Sequence, residues 1–307
     1  MSLPAPAAFR QSLEAILLAS SGWFLYCICD AISKYLSGSY SPFEILAFSG
    51  TIGALIAGGW IVRHYGVDGF KTPKWRWFLI RSLTQAVSSY CSIMAVSNIP
   101  LSDFYGIVFL TPMATALLAA FVLKESIGLF RIGAIGFGFI GVLIIAGPSF
   151  ASHNVGYLYA LGSVVCATMS AITIRKIGAD PVMSRFVFFP FMATALIYVP
   201  AMLMTGFKIP ATPLDMSLLL LFSPLAMFGL LLWSAGFARA RETAVVAPFH
   251  YTQMVWGSLL GYFIFGNVPA MTTYIGSVII VAAGILIIWR EHKHHVQIAT
   301  HAAETPI

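Results

Sequence analysis

The sequence predicts an all-α polytopic membrane protein with ten transmembrane helices, arranged as two inverted five-helix repeats with both termini cytoplasmic. Three observations support this fold class: the composition, ten apolar stretches of spanning length, and the distribution of basic residues between the loops. Of the 307 residues, 59% are hydrophobic and only 9% are charged, whereas about 25% of the residues of a soluble domain are charged. The composition therefore excludes an ordinary soluble domain.

Ten apolar stretches are long enough to cross a bilayer, since a helix needs about 20 apolar residues to span roughly 30 Å of hydrocarbon. In chain order they are residues 12–36, 42–63, 75–97, 102–123, 130–147, 156–177, 183–205, 214–237, 244–265 and 271–290. The loops between them are short, and a polar tail follows the last stretch. The four cysteines lie inside these stretches and have no metal-ligand spacing, so neither a disulfide framework nor a metal site is predicted.

The basic residues fix the expected orientation. With the N-terminus in the cytoplasm, fifteen of the seventeen Lys and Arg residues fall on the cytoplasmic side, and only Lys34 and Lys208 fall outside. The positive-inside rule predicts this asymmetry for a correct count of spans, because one missed helix would reverse every later loop. The net charge of +6 is therefore a topology signal, and no nucleic-acid partner is predicted.

The two halves of the chain resemble each other. A shift of 141 residues places Phe48 on Phe189, and a shift of 143 places Gly133 on Gly276. Each half holds five spans, an odd number, so the second half must enter the membrane from the opposite face. Inverted repeats of this kind are typical of secondary transporters, although a membrane protein that merely duplicated is an open alternative. The expected division is a first repeat at 1–149, a second at 150–291 and a polar cytoplasmic tail at 292–307.

Two segments resemble a known family. Residues 98–102 (NIPLS) and 110–125 (LTPMATALLAAFVLKE) look like the fourth helix of EamA-type transporters, which belong to the drug/metabolite transporter superfamily, and residues 247–267 repeat the pattern in the second half. Asp30–Leu36 together with Pro42-Phe43-Glu44, and the run Phe249-His250-Tyr251, are similar to bacterial S-adenosylmethionine uptake carriers of this group. Amino-acid exporters are a further resemblance.

The sequence also departs from the family pattern at several positions. Asn267 stands where the family usually has Glu, and Ser49-Gly50 stand where Arg is common. His250 occupies the position at which close relatives carry Arg. These departures leave the expected fold unchanged and bear on the choice of solute.

The resemblance implies a secondary transporter, not an enzyme, that moves a small organic metabolite across the cytoplasmic (inner) membrane by alternating access. The solute class it implies is an amino acid, an S-adenosylmethionine-like compound or a related amphipathic solute. The expected partners are this solute, the lipid bilayer and protons as a candidate coupling ion, with no cofactor and a monomeric or weakly dimeric state. The alternatives are an intramembrane enzyme and an uncoupled channel for small solutes, but no His-Glu-x-x-His motif or ring of charges favours either.

Three charged residues are expected near the outer interface: Asp30 and Lys34 in the first helix and Glu44 at the start of the second. Asp30 and Lys34 are four residues apart, so they share a helix face and can pair. An ionisable group within hydrocarbon costs roughly 2.5–3.5 kcal/mol on insertion scales, so each needs a reason. Two interpretations stay open: a structural ion pair with a snorkelling Lys34, or an outer gate whose charges separate when a cavity opens.

The remaining candidates are predicted to line a solute pathway. His250 is the only histidine within the predicted spans and follows Pro248 by two residues, so we hypothesise that it contacts the solute or carries a coupling proton, with core packing as the alternative. Arg81 is interpreted as a residue that snorkels to the cytoplasmic interface. The pathway candidates are His250, Tyr251, Gln253, Trp256, Gln85, Ser88, Thr111 and Pro112.

Overall fold

The computed structural model describes residues 5–111, 113–115, 117–118, 129–150, 154–178, 180–239, 247–283 and 285–286. Within these residues no β-strand occurs, and ten α-helices are numbered α1 to α10. In chain order these are α1 Ala5–Leu36, α2 Pro42–Tyr65, α3 Trp75–Asn98, α4 Leu101–Val108, α5 Leu129–Phe150, α6 Val155–Ile177, α7 Arg185–Thr205, α8 Pro213–Arg239, α9 Thr252–Phe265 and α10 Met271–Ala283. Two short 3-10 helices, Val67–Phe70 and Ala247–Tyr251, precede α3 and α9.

Five of these helices contain segments that are both long enough and apolar enough to cross a membrane. The segments are Leu13–Leu36, Pro42–Tyr65, Val155–Ile174, Arg185–Thr205 and Pro213–Gly236. By contrast, α3 is long enough, at 24 residues, but carries Arg76, Arg81, Gln85 and several hydroxyl side chains. These polar residues lower the mean hydropathy of α3, and two of them, Arg81 and Gln85, line a cavity inside the protein.

Two of the predicted spans differ from the observed helices. In the described part of the span predicted at 244–265, Ala247–Tyr251 forms a 3-10 helix and the α-helix begins at Thr252. This segment contains Pro248, whose missing N–H and fixed φ disfavour the interior of an α-helix. The span predicted at 102–123 is interrupted by a turn at Phe109 and Leu110, after which residues 111, 113–115 and 117–118 are again helical.

The ends of α2 follow from its sequence. Ser41 is the N-cap, and its hydroxyl accepts a hydrogen bond from the backbone N–H of Glu44, while the Glu44 carboxylate accepts one from the N–H of Ser41. This reciprocal capping box satisfies two otherwise orphaned donors, and Pro42 occupies the first turn, where its missing N–H is not needed. The helix stops at Gly66, whose φ of 66° is unfavourable for residues with a side chain.

Helices from the two halves pack in pairs. The longest pairings are α1 with α8, α2 with α7, and α3 with α6, and α4 packs against α9. Glycines allow these close approaches: a Cβ at Gly22 of α1 would lie 2.6 Å from the carbonyl oxygen of Gly229 on α8. A Cβ at Gly141 of α5 would likewise lie 2.6 Å from the carbonyl oxygen of Gly276 on α10. Small residues at such crossings are how membrane helices bring their backbones into contact.

The loops at one end of the helices are joined by polar contacts between the two halves. The hydroxyl of Tyr40 donates to Asp215 at 2.9 Å and accepts from the backbone N–H of Ala211. The N–H of Lys208 donates to Glu44 at 2.6 Å, and its ammonium donates to the carbonyl of Ser39 at 3.1 Å. The α1–α2 and α7–α8 loops therefore lie together.

A buried ion pair joins the loops at the opposite end. Arg185 donates to the Asp180 carboxylate at 2.8 Å, and both side chains are almost fully buried. The same guanidinium donates to the carbonyls of Gly69 and Lys71 in the α2–α3 loop at 2.7 and 2.6 Å. Through these charge-assisted hydrogen bonds, Arg185 connects the α2–α3 loop to the α6–α7 loop.

Candidate functional site

A cavity of about 320 Å³ lies where α1, α2 and α3 of the first half meet α7 and α8 of the second. Its wall combines hydroxyl and amide groups with aromatic and aliphatic side chains, and it includes one cation and one carboxylate. The lining residues are Tyr26, Cys29, Asp30, Ser33, Leu46, Ser49, Arg81, Gln85, Ser89, Ser92, Ile93, Phe186, Val187, Pro190, Phe191, Thr194, Phe222, Ala226 and Leu230. A concave site with a few convergent polar groups is the usual form of a small-molecule site.

Arg81 supplies the cation at one end of the cavity. Its side chain is 9% exposed, and it donates to the hydroxyl of Ser170 at 3.1 Å and to the carbonyl of Phe186 at 3.3 Å. The Nε atom has no hydrogen-bond partner among the described residues, and the guanidinium lies 5.6 Å from the ring centre of Phe186. From the sequence, Arg81 is interpreted as a residue that snorkels to the cytoplasmic interface, whereas in the structure Arg81 lines the cavity.

Asp30 supplies the carboxylate of the cavity wall. The hydroxyl of Tyr105 donates to its Oδ2 atom at 2.6 Å, whereas Oδ1 accepts no hydrogen bond within the described residues. Ser33, one turn further along α1, and Ser92 of α3 line the same cavity. Asp30 is therefore fixed by α4 through one oxygen, and its other oxygen is available to a solute.

Neutral polar groups line the cavity between the two charges. Gln85 accepts a hydrogen bond from the hydroxyl of Ser170 at 3.3 Å, so its amide is oriented by α6. Ser49 is held by Ser223 of α8, whose hydroxyl donates to the Ser49 carbonyl at 2.6 Å. Gln85 lines this cavity, and its role in a solute pathway stays a prediction.

Ser88, the other pathway candidate on α3, faces a different neighbour. It is buried, and its hydroxyl donates to the carbonyl of Ser163 on α6 at 3.1 Å. It does not line the cavity. Its hydrogen bond contributes to the packing of α3 against α6.

The expected ion pair between Asp30 and Lys34 is not formed. The ammonium of Lys34 instead donates to the carbonyls of Val96 and Ile99 at 2.6 and 2.8 Å, at the end of α3, while Asp30 is bound by Tyr105. The spacing of four residues was read correctly as a shared helix face, but neighbouring helices supply competing partners to both groups.

Glu44, the third charged candidate, acts as a structural group here. One carboxylate oxygen accepts from the N–H of Ser41 in the α2 cap, and the other accepts from the N–H of Lys208. The side chain is 2% exposed. Glu44 therefore joins α2 to the loop before α8.

The described candidates around α9 and after α4 lie outside this cavity. His250 stacks on Trp23 with ring centres 5.0 Å apart and meets the edge of Phe109, the residue after α4, at 5.8 Å. The other described members of this set have packing contacts: Tyr251 with Phe109, Trp256 with Phe24, the Gln253 carbonyl with Cys27, and the Thr111 hydroxyl with the Val108 carbonyl. Pro112 lies outside the described residues.

Asp103 is a buried carboxylate that the sequence reasoning missed. The hydroxyls of Tyr157 on α6 and Thr273 on α10 each donate to it at 2.6 Å, and it is 6% exposed. An ionisable residue within a predicted span was the signal that singled out Asp30, and the same criterion would have found Asp103. Within the described part of the chain, no group of three or more His, Cys, Asp or Glu side chains could hold a metal ion.

Comparison with known proteins matches this architecture to one family. The model of the EamA-like transporter family matches twice, at residues 13–147 and 154–289. An S-adenosylmethionine uptake transporter of Rickettsia bellii is 27% identical over 277 residues, covering 89% of this chain and 94% of the relative. A pseudopaline exporter of Pseudomonas aeruginosa is 27% identical over 273 residues, with 89% and 95% coverage.

More distant similarities agree with this assignment. A riboflavin transporter of Vibrio cholerae is 22% identical over 289 residues, covering 92% of this chain and 96% of the relative. One solved crystal structure aligns with a TM-score of 0.60 at 19% identity, covering 91% of this chain and 96% of the other. At that identity the likeness supports the fold alone.

Proposed function

This chain belongs to the EamA-like transporter family, and from that premise we propose that it is a secondary transporter that works by alternating access. It is a multi-pass membrane protein and not an enzyme, since the family and the named relatives are transporters. The observation that carries the proposal is the polar cavity, which lies between helices of the first half and helices of the second. A solute held there is exposed to either side when the two halves rock against each other.

The pairing of helices supports an inverted repeat. If each helix of the first half corresponds to the helix five places later, the α1–α8 contact corresponds to the α6–α3 contact. The same relation exchanges α2 with α7 and α4 with α9, so it maps the α2–α7 contact and the α4–α9 contact onto themselves. All of these pairings occur, as a two-fold relation between the halves requires. We propose the division into repeats at 1–149 and 150–291, with a cytoplasmic tail at 292–307, on this basis and on the sequence shifts.

The joined loops support the predicted topology. Ten alternating spans put the α1–α2 and α7–α8 loops on one side, and these loops are bonded through Tyr40 and Asp215. They put the α2–α3 and α6–α7 loops on the other side, and Arg185 bonds those to each other. Together with the excess of basic residues, this supports cytoplasmic termini and a location in the cytoplasmic membrane.

The solute is proposed to be a small organic metabolite. The named relatives carry S-adenosylmethionine, pseudopaline and riboflavin, which are organic solutes with polar and apolar parts. The cavity offers both kinds of surface, with hydroxyl and amide groups beside Phe186, Phe191 and Phe222. An amino acid or an S-adenosylmethionine-like compound fits this combination, and protons are the proposed coupling ion.

Exchange in proteoliposomes tests this function. We expect labelled S-adenosylmethionine to enter vesicles that contain the purified protein and to enter faster when the vesicles are preloaded with the unlabelled compound. Such trans-stimulation requires a site that alternates between the two sides, so an uncoupled channel would not produce it. A pH gradient of either sign would alter the rate if protons are coupled.

A matched pair of variants ties the exchange to the cavity. Ser89→Phe places a ring in the cavity wall, whereas Val87→Phe places the same ring on the exposed face of α3. We expect Ser89→Phe to abolish exchange and Val87→Phe to retain it. Equal exchange by both variants would contradict the assignment of this cavity as the solute site.

A further inference from the structure

We propose that the cavity is a dipolar site for an elongated solute, in which Arg81 binds a carboxylate at one end and Asp30 binds a cationic group at the other. The inference rests on the proposed transport function and makes its solute class more specific. Its basis is that Arg81 and Asp30, two opposite charges that form no ion pair among the described residues, line one cavity.

Arg81 has more N–H donors than the described residues provide acceptors for. A guanidinium carries five N–H donors in a planar fork, and the described residues provide only the Ser170 hydroxyl and the Phe186 carbonyl as acceptors. Nε has no partner, and the ion pairs of the described residues, Arg185–Asp180 and Lys71–Asp68, do not involve Arg81. A buried cation without an anion is unfavourable, and a bound carboxylate would balance its charge and accept from the remaining N–H groups of Nη1 and Nη2.

Asp30 is the complementary end. Its Oδ2 atom is bound by Tyr105, which orients the carboxylate, and among the described residues Oδ1 accepts no hydrogen bond. The neighbouring lining groups Ser33 and Ser92 are neutral hydroxyls, so they do not neutralise the carboxylate. Lys34, the nearest cation along α1, donates to Val96 and Ile99 instead. A solute ammonium or sulfonium group would supply the missing positive charge.

The two charges are too far apart for a compact amino acid. Lys34 bonds to Val96, so Asp30, four residues earlier on α1, lies near the level of Ser92, four residues earlier on α3. Ser92 is eleven residues from Arg81, which is about 16 Å along a helix at 1.5 Å per residue. The two side chains shorten this gap, but the charges of an α-amino acid sit on adjacent carbons and cannot reach both ends.

The middle of the cavity suits the body of such a solute. Tyr26 and Gln85 offer hydrogen bonds between the charged ends, and Phe186, Phe191 and Phe222 offer an apolar surface. A flexible or aromatic chain that joins a carboxylate to a cationic group would be complementary along its whole length.

Binding to simple probes tests the inference without requiring the natural solute. ω-Aminohexanoate carries both charges at the ends of a chain, hexanoate and hexylamine carry one each, and alanine is a compact zwitterion. Calorimetry on the purified protein in nanodiscs measures all four affinities. We expect ω-aminohexanoate to bind at least about tenfold more tightly than each of the others, since it alone engages both charges.

Variants assign each charge to its end. Arg81→Gln should remove the advantage of ω-aminohexanoate over hexylamine, and Asp30→Asn should remove its advantage over hexanoate. Arg81→Lys keeps the cation and should keep part of the preference, which separates a charge effect from a packing effect. Arg76→Gln makes the same substitution as Arg81→Gln at an exposed position on α3 and should leave all four affinities unchanged.

Several outcomes would overturn the dipolar site. Equal affinities for alanine and ω-aminohexanoate would do so, and so would a failure of all four probes to bind. An unchanged preference for ω-aminohexanoate in both Arg81→Gln and Asp30→Asn would also contradict the site. The exchange assay keeps this result distinct from the transport proposal. Exchange that persists without the dipolar preference refutes the site alone, whereas dipolar binding without trans-stimulation refutes alternating access alone.

Discussion

Tyr105 and Asp30 form a 2.6 Å hydrogen bond between α4 and α1. The same tyrosine ring packs directly against Gly257 of α9, so closely that a Cβ at position 257 would overlap it. One side chain thus connects the carboxylate of the cavity wall to the α4–α9 pair. Any movement of α4 and α9 relative to α1 must stretch or break this bond, so Tyr105 is well placed to transmit rearrangements to the cavity wall.

Tyr105→Phe should lower the stability of the protein by about 0.5–2 kcal/mol, because Asp30 loses its hydroxyl donor in a non-aqueous environment. The phenylalanine ring keeps the packing against Gly257. Thermal unfolding of the purified protein in detergent measures the change. Tyr35→Phe removes a hydroxyl from an exposed position on α1 and should leave the unfolding midpoint unchanged. An equal effect of the two substitutions would show that the Tyr105–Asp30 bond contributes little.

The α2–α7 crossing provides a second prediction. A Cβ at Gly50 would overlap the backbone of Ala195, whereas a Cβ at Gly59, on the exposed face of the same helix, would meet nothing within 4 Å. Gly50→Ala should therefore cost about 1–3 kcal/mol through overpacking, while Gly59→Ala should be neutral or stabilising by up to about 1 kcal/mol through helix propensity. Unfolding midpoints of the two variants check the contrast, and a stable Gly50→Ala protein would contradict the close crossing.

Much of the helical architecture could be predicted from the sequence. The ends of α1, α2, α3, α6 and α7 at Leu36, Tyr65, Asn98, Ile177 and Thr205 lie within two residues of the predicted ones, because long apolar runs there are bounded by polar, glycine or proline residues. Within the span predicted at 244–265, however, Ala247–Tyr251 forms a 3-10 helix and α9 begins at Thr252. Hydropathy alone does not distinguish a 3-10 turn around Pro248 from the first turns of a helix.

The site was harder to predict than the fold. Asp30 and Gln85 were singled out because polar groups in a span need a reason, and both line the cavity. The partners of Asp30 and Lys34 were wrong, since Tyr105 and the carbonyls at the end of α3 reach them from elsewhere in the fold. Helix periodicity shows which residues share a face, but it does not show which other helix covers that face.

A double-mutant cycle tests whether Asp30 and Lys34 act independently. Because they have separate partners, the effects of Asp30→Asn and Lys34→Met on stability should add within about 0.5 kcal/mol. Under the ion-pair hypothesis, the double variant would instead be less impaired than Asp30→Asn alone, since no charge would be left unpaired. Unfolding midpoints of the two single variants and the double variant decide between these outcomes.

Reporter fusions test the proposed topology. A reporter that is active only in the cytoplasm should be active after Lys71 and Pro181 and inactive after Ser39 and Lys208. The physical reason is that Lys71 and Asp180 are both bonded to Arg185, whereas Lys208 is bonded to Ser39, so each pair of loops shares one side. An active fusion at Lys208 together with an inactive one at Ser39 would contradict the inverted repeat.

His250 remains the most informative residue outside the cavity. Its ring stacks on Trp23 at 5.0 Å and meets the edge of Phe109, and these contacts favour packing over solute contact. His250→Phe, which keeps an aromatic ring in the stack, should therefore retain exchange and its pH dependence. His250→Ala should lower the unfolding midpoint, because it removes the ring from both contacts.

The sequence-based hypothesis for His250 predicts a different pattern. If the imidazole contacts the solute or carries a proton, His250→Phe should abolish exchange or flatten its pH dependence while the unfolding midpoint stays unchanged. Exchange rates at several pH values and unfolding curves, measured on the same preparations, separate the two outcomes. Phe109→Leu serves as a control, since it removes an aromatic contact from His250 without removing the imidazole; normal exchange in this variant, combined with loss in His250→Phe, would establish that the imidazole itself is required.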